Sequence, residues 1–426
     1  MTNSFVLKGD ILWSRTPQDM TICENQYVVC EDGVCAGVFP TLPEHFASLP
    51  VHDYTGKLII PGLVDLHAHA HAPQYAFRSL GMDLELLDWL DTQTFPQEAR
   101  YADPDYARRA YTLFVDDLSR SSTTRAVLFG TLHVDATLTL MGLLEDSGLI
   151  TRVGKVNMDR NSPDCLREES AAASLAATRQ WLDGCRDFTR SRPILTPRFI
   201  PSCSDALMEG LRDLQRETGL PVQSHLSENQ GEIAWVSELC PDSTGYGDAY
   251  DRFGLFGGDG CPTIMAHCVW SDEAERARMK QNGVFVAHCP QSNVNLSSGI
   301  APVRAFLNEG LSVGLGSDIA GGVHLSMLRA IADTIQVSKL RWRLQDASLA
   351  PITLPEAFYL ATRGGGAFFG KVGAFESGFE FDALVLDDAM LPCPFDLSPL
   401  ERLTRVVYLA DDRAVTHKYV SGRKLM

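Results

Sequence analysis

No stretch of the 426 residues approaches the ~18 apolar residues of a membrane span, and the eleven cysteines contain no Cys-x-x-Cys pair. Basic charge is scarce: 37 lysines and arginines stand against 54 aspartates and glutamates, for a net charge of −17, with no basic run. These absences exclude a helical membrane protein, a cysteine-based zinc knuckle and a disulfide frame, so reduced thiols are expected. A nucleic-acid-binding surface is disfavoured because counterion release needs clustered Lys and Arg, and polyphosphate substrates are disfavoured for the same reason. The opening segment MTNSFVLKGDILWS lacks a basic stretch followed by a continuous apolar one, which points to a cytoplasmic location. What is present, 45% hydrophobic and 21% charged residues, is the composition of an ordinary globular enzyme acting on neutral or mildly polar small molecules.

The texture of the chain changes twice. Residues 1–60 alternate apolar and polar side chains between Gly and Asp punctuation, as in FVLKGDILWS and QYVVCEDGVCAGVF, and read as short strands. From 61 to 372, short apolar strands alternate with longer helical segments, which predicts an α/β fold: a (β/α)8 TIM-type barrel. Strand texture returns over 373–426 and is expected to complete a small β-sandwich begun by 1–60. Thr353 and Glu356, with Pro355 in the first turn, predict a capping box late in the barrel. The Gly- and Asp-rich segment 240–260 reads either as a loop over the barrel mouth or as a plain surface connection.

Four segments carry chemistry: PGLVDLHAHAH at 61–71, SHLSE at 224–228, AHC at 266–268 and GLGSD at 314–318. Each is a short apolar run ending in imidazole or carboxylate, the usual donor mix of catalytic zinc. In a βα barrel such strand ends converge on one mouth. His67 and His69 share one side of a strand; His225 is followed three residues on by Glu228; His267 and Asp318 end their own runs. Small residues over 314–322 either let the backbone approach a metal or substrate or serve a tight turn. Cys268 and Cys289 each follow a histidine and are expected to be buried as small hydrophobes.

These motifs resemble the amidohydrolase superfamily, and within it the guanine-deaminating members. The resemblance is carried by PQYAF at 73–77, LLDWLDTQTFPQEARY at 86–101, GKVNMD at 154–159 and PRFIPSCSDALM at 197–208, and by QSHLSEN at 223–229, AHCPQSNVNLSSG at 287–299 and GLGSDIAGG at 314–322. It implies one zinc per chain, held by His67, His69, His225, His267 and Asp318, and hydrolysis of guanine to xanthine and ammonia in a homodimer. Asp318 would take the proton of the attacking water and Glu228 would carry a proton to the purine ring. The family's purine-binding residues map onto Gln74, Arg198 and Phe199, and their chemistry agrees: an amide pairs with a purine edge, a guanidinium binds a carbonyl and a ring nitrogen, and an aromatic ring stacks.

One departure leaves two registers open. HAHAHAPQY carries an extra His-Ala unit, so the ligand pair is His67 and His69 counted from Pro61, or His69 and His71 counted from Pro73; the first is favoured because lengthening a loop costs less than displacing a strand. His133 and Lys155 are read as structural, and His288 as either a contact to the site or a support for the fold. Alternatives are another aminohydrolase, acting on adenosine-like, 8-oxopurine, pterin or triazine substrates, and a metal-free scaffold on the same fold. The other zinc class of base deaminases needs Pro-Cys-x-x-Cys, which is absent.

Overall fold

Period-two alternation sorts the first and last strands between two cores. Ile11, Trp13 and Ile59 pack with Phe375, Phe381 and Tyr419 on one face, whereas Leu12, Leu58 and Ile60 join the large core on the other. The computed structural model describes residues 4–70, 80–258 and 260–426. Its largest sheet has seven strands in the order Arg423–Lys424, Val415–Val420, Ala383–Leu386, Val51–Pro61, Phe5–Thr16, Asp19–Glu31 and Val34–Phe39. The two ends of the chain therefore share one sheet, joined where Ala383–Leu386 pairs antiparallel with Val51–Pro61.

Only Gly62 separates Val51–Pro61 from the next strand, Leu63–His69. A Cβ at Gly62 would fall 2.2 Å from Thr124 Oγ1, so the close approach of the neighbouring strand requires glycine there. Leu63–His69 opens a parallel four-stranded sheet with Thr123–Phe129, Ile150–Gly154 and Ser191–Pro193. A second parallel sheet holds Val222–Leu226, Thr263–His267, Phe285–His288 and Ser312–Leu315. A parallel bridge between Leu195 and Val222 joins the sheets at one seam. At the other, Asp318 N donates to His67 O at 2.8 Å and His69 N to Ile319 O at 3.0 Å.

The crossover helices form where caps and apolar stripes agree. Helix Pro104–Arg120 begins at Asp103, whose carboxylate accepts from the Asp105 and Tyr106 amides, and buries Ala107, Tyr111, Phe114, Val115 and Leu118. Truncating Phe114 to alanine would cost about 3–5 kcal/mol by opening that contact. The expected capping box at Thr353 and Glu356 is present, with Pro355 in the first turn. Two buried cations tie the terminal sheet to the α/β unit. Arg125 donates from Nε to Asp382 Oδ2 at 2.6 Å and from Nη2 to Glu380 Oε2 at 2.7 Å. Lys418 Nζ donates to the Ser119 and Thr123 carbonyls at 2.8 and 2.9 Å.

Segment 240–260 carries a helix that neither sequence reading anticipated. Its middle forms the helix Tyr246–Arg252, with Tyr246 and Tyr250 buried in the large core. No disulfide joins any of the eleven cysteines, and Cys268 and Cys289 are buried. Among the described residues no helix is long and apolar enough to cross a membrane.

Candidate active site

The ends of five parallel strands and the turns after them bring the sequence-selected side chains to one place. His67 and His69 project from one side of Leu63–His69, and their Nε2 atoms lie 3.2 and 3.4 Å from Asp318 Oδ1. The Nε2 atoms of His69 and His225 are 3.2 Å apart. His225 Nδ1 donates to the Arg198 carbonyl at 2.6 Å, which leaves Nε2 with a bare lone pair aimed at the other imidazoles. His67, His69 and His225 offer nitrogens within 4.8 Å of one another. His267 stands on the acidic side of this group: Nδ1 contacts Asn293 Oδ1 at 2.8 Å, and Nε2 lies 3.4 Å from Glu228 Oε2 and 3.8 Å from Asp318 Oδ2.

Burial and charge divide these groups. Burial and the nearby His67 and His267 push His225 well below the usual histidine range, so it stays a neutral donor. Burial acts the same way on His267, but Glu228 and Asp318 outweigh it and raise its proton affinity. For Asp318, burial is overcome by His67 and His267, which hold the carboxyl down to about 2. Glu228 moves the other way: burial pushes it up to about 7, while Ser298 Oγ donates to its Oε1 at 3.0 Å. A carboxyl at that value exchanges protons at neutral pH.

The backbone is strained at the same strand ends. Ser227, His267, Cys268 and Asp318 all have positive φ, between 43° and 71°. At Gly316 an added Cβ would meet His67 Cβ at 2.9 Å and Cys289 Sγ at 2.8 Å, so glycine there serves close approach to the ligand strand. Above the histidines a cavity of about 540 Å³, counted to its open mouth, is lined by Leu86, Trp89, Leu90, Arg198, Phe199 and Glu228, among others. Its apolar walls with a few convergent polar groups suit a flat heterocycle.

Residues 58–425 match the amidohydrolase family. This chain belongs to that family. As an amidohydrolase it is 39% identical over 384 residues to the guanine deaminase of Dictyostelium discoideum, covering 88% of this chain and 84% of that protein. Among solved structures it superposes on the guanine deaminase of C. acetobutylicum with bound guanine in the active site, with a TM-score of 0.95, 46% identity, and coverage of 99% and 100%. The E. coli guanine deaminase gives 0.87, 31%, and 99% of each chain.

The amidohydrolase site thus gathers His67, His69, His225, His267, Asp318, Glu228, Arg198 and Phe199. Gln74 and His71 lie outside the described residues. His133 sits at the N-cap of helix Val134–Ser147 and does not line the cavity. Lys155 is buried in an ion pair with Glu168. His288 is buried beside His267, with neither ring nitrogen hydrogen-bonded among the described residues. Cys289 Sγ falls within 4.8 Å of His67 and His267 nitrogens, but burial raises its thiol far above the range of an anionic ligand.

Several supporting residues escaped the sequence reading. Asp65 accepts from Ser317 Oγ at 2.6 Å, Ser317 N at 3.0 Å and His67 N at 3.2 Å, pinning the Asp318 turn to the HxH strand. Asn293 orients His267, and Ser298 holds Glu228. The hydroxyl of Tyr250 reaches the His225 carbonyl at 2.9 Å, which is the contribution of segment 240–260 to the site. Asp65, Asn293 and Ser298 lie inside the motifs and Tyr250 inside the Gly- and Asp-rich segment, but the partner of each is remote in sequence or unmarked by any local pattern.

Proposed function

We propose that this amidohydrolase converts guanine and water to xanthine and ammonia, with one zinc held by His67, His69, His225, His267 and Asp318. The observation that carries the reading is the convergence of Arg198, Phe199 and a Glu228 raised by burial on one cavity beside the imidazole cluster. The 46% identity over almost the whole chain to a guanine deaminase with bound guanine supports it.

The donor set fits a divalent cation. His67 Nε2 is buried and, although 3.2 Å from Asp318 Oδ1, is aligned for no hydrogen bond among the described residues. His225 Nε2 turns its lone pair to His69 Nε2 at 3.2 Å, a contact that a proton or a cation between the nitrogens makes favourable. Nitrogen and carboxylate donors without thiolate favour zinc in a catalytic setting. When bound, zinc supplies Lewis-acid activation of water at neutral pH.

The protein's own groups do the rest. Asp318, with Oδ1 beside His67 and His69 and Oδ2 facing His267, accepts the water proton. Glu228, fixed through Oε1 by Ser298, carries a proton on Oε2 to the ring nitrogen beside C2 as the water oxygen bonds to C2. The C2 hydroxyl then returns its proton to Glu228 as it becomes the carbonyl, the C2–N bond breaks, and the proton held by Asp318 leaves with ammonia. His267, between the two carboxylates, keeps their charges apart during the transfers. Arg198 and Phe199 hold the purine, with Gln74 as the amide partner.

The same reading takes the two parallel sheets as one closed (β/α)8 barrel over 61–372, and the terminal sheet as a small β-sandwich from 1–60 and 373–426. A cytoplasmic homodimer completes it. Metal analysis of purified protein, followed by ammonia release from guanine, tests the function. About one zinc per chain with turnover lost on chelation and regained with zinc is expected, and full turnover by metal-free protein overturns the reading.

A further inference from the structure

The charge of Arg198 is cancelled inside the protein. Its Nη1 donates to Glu98 Oε2 at 2.7 Å, with the two side chains 3% and 0% exposed. The Phe95 ring lies 4.9 Å from the guanidinium carbon, and Met158 Sδ is 3.7 Å from Nη1. Among the described residues the guanidinium makes no other hydrogen bond, and Arg198 lines the cavity next to Phe199 and Glu228. Lys155 and Glu168, buried charges that with Glu98 act on His133, are paired with each other and leave the Arg198 charge to Glu98.

A buried guanidinium without a countercharge attracts an anion, because little solvent is available to screen it. With Glu98 attached, the same group still offers N–H donors but presents little net field. We propose that Glu98 is a positioning and specificity residue that aims Arg198 and neutralises it, so the cavity takes a neutral purine and rejects one carrying negative charge. This rests on the purine reading above. Discrimination of this kind comes from what a site disfavours as well as what it binds. The consequence for turnover follows from substrate chemistry: replacing the amino group at C2 by oxygen gives a more acidic purine, and an arginine whose charge is already paired releases that product more readily than a bare one.

The test uses zinc-loaded enzyme and two competitive inhibitors of guanine hydrolysis, hypoxanthine as the neutral 6-oxopurine and urate as the anion. Glu98→Gln is expected to raise KM for guanine and to shift the urate-to-hypoxanthine inhibition ratio by about tenfold toward urate, the scale of one close charge pair. Glu98→Asp, which keeps the charge on a shorter stem, should weaken guanine binding and leave the ratio within about twofold of wild type. A purely structural Glu98 would weaken both inhibitors alike, so an unchanged ratio in Glu98→Gln overturns the inference. Wild-type enzyme supplies a check independent of folding: inhibition by urate as tight as by hypoxanthine also overturns it. Wild-type protein that releases no ammonia from guanine overturns the functional reading and this inference with it, whereas normal guanine turnover with an unshifted ratio overturns the inference alone.

Discussion

Replacing Glu228 by glutamine changes one atom and isolates one role. The glutamine carbonyl can still accept from Ser298 Oγ at the 3.0 Å position of Oε1, and the backbone bond from residue 228 N to Glu232 Oε2 is untouched. The fold therefore loses at most about 1 kcal/mol, the scale of one imperfect hydrogen bond. Metal affinity should persist, because Glu228 is not one of the five proposed ligands and a glutamine side chain of the same size takes its place 3.4 Å from His267 Nε2. What disappears is a proton carrier at Oε2. General acid–base catalysis is worth ~10²–10⁴ in rate, so kcat should fall by that factor, or about 2.7–5.4 kcal/mol of barrier at 1.36 kcal/mol per tenfold. KM should move much less, since the purine is held by other groups. Steady-state ammonia release, zinc content and a thermal melt on the same preparation separate the cases. A kcat within tenfold of wild type, in protein that retains its zinc, refutes the proton-transfer role; parallel loss of zinc and activity makes Glu228 a ligand or a ligand's support.

His67→Ala should lose most of its zinc and activity, because its Nε2 stands 3.2 Å from Asp318 Oδ1 at the centre of the cluster, whereas His71→Ala should keep its metal; zinc analysis of both reads the register of HAHAHAPQY directly. Arg198→Lys should raise KM for guanine at least ~10-fold, since an ammonium lacks the planar fork, while zinc stays bound because the Arg198 carbonyl still orients His225. Glu145, although burial opposes it, is held down to about 2 by hydrogen bonds from Ser191, Thr189 and Arg190, so its contribution is present above the ordinary value of 4.5 and lost as pH falls from there toward 2. Glu145→Gln should therefore flatten the acid limb of the stability curve over that window, measured by denaturant melts at pH 5 and pH 3, by an amount reduced by solvent screening.

Much of the site was legible because its chemistry sits at predictable points of a repeating architecture. The alternation in LVDLHAH puts His67 and His69 on one face wherever the strand lies, and apolar runs ending in His225, His267 and Asp318 mark strand ends. The supports were not legible, because each joins segments far apart in sequence: Glu98 and Arg198 are 100 residues apart, and Ser298 and Glu228 are 70 apart. No local pattern records such a pairing. Segment 240–260 misled for another reason. Its Gly and Asp content predicts a connection, but Tyr246 and Tyr250 find buried hydroxyl partners at Glu232 and His225, and tertiary contacts override local composition there.

The positive φ values explain why those supports exist. Ser227, His267, Cys268 and Asp318 each sit where a residue with a Cβ costs ~1–3 kcal/mol, and relaxation of any one would swing a ligand or the segment that carries Glu228. Each is held by bonds that relaxation would break. The Asp318 turn is tied by Asp318 N to the His67 carbonyl and by the Ser317 bonds to Asp65. His267 is held through Asn293, and the chain after Ser227 through the capping box of Asn229 and Glu232. Glu232 in turn accepts from Tyr246. Strain at the strand ends and the hydrogen bonds that oppose it are thus two parts of one frame, which fixes the imidazoles and Asp318 at the positions a cation would need. A cation among the nitrogens binds the folded chain and not the unfolded one, so Tm should rise with zinc concentration, and equal Tm values for metal-free and zinc-loaded protein would refute the frame's role in holding the ion.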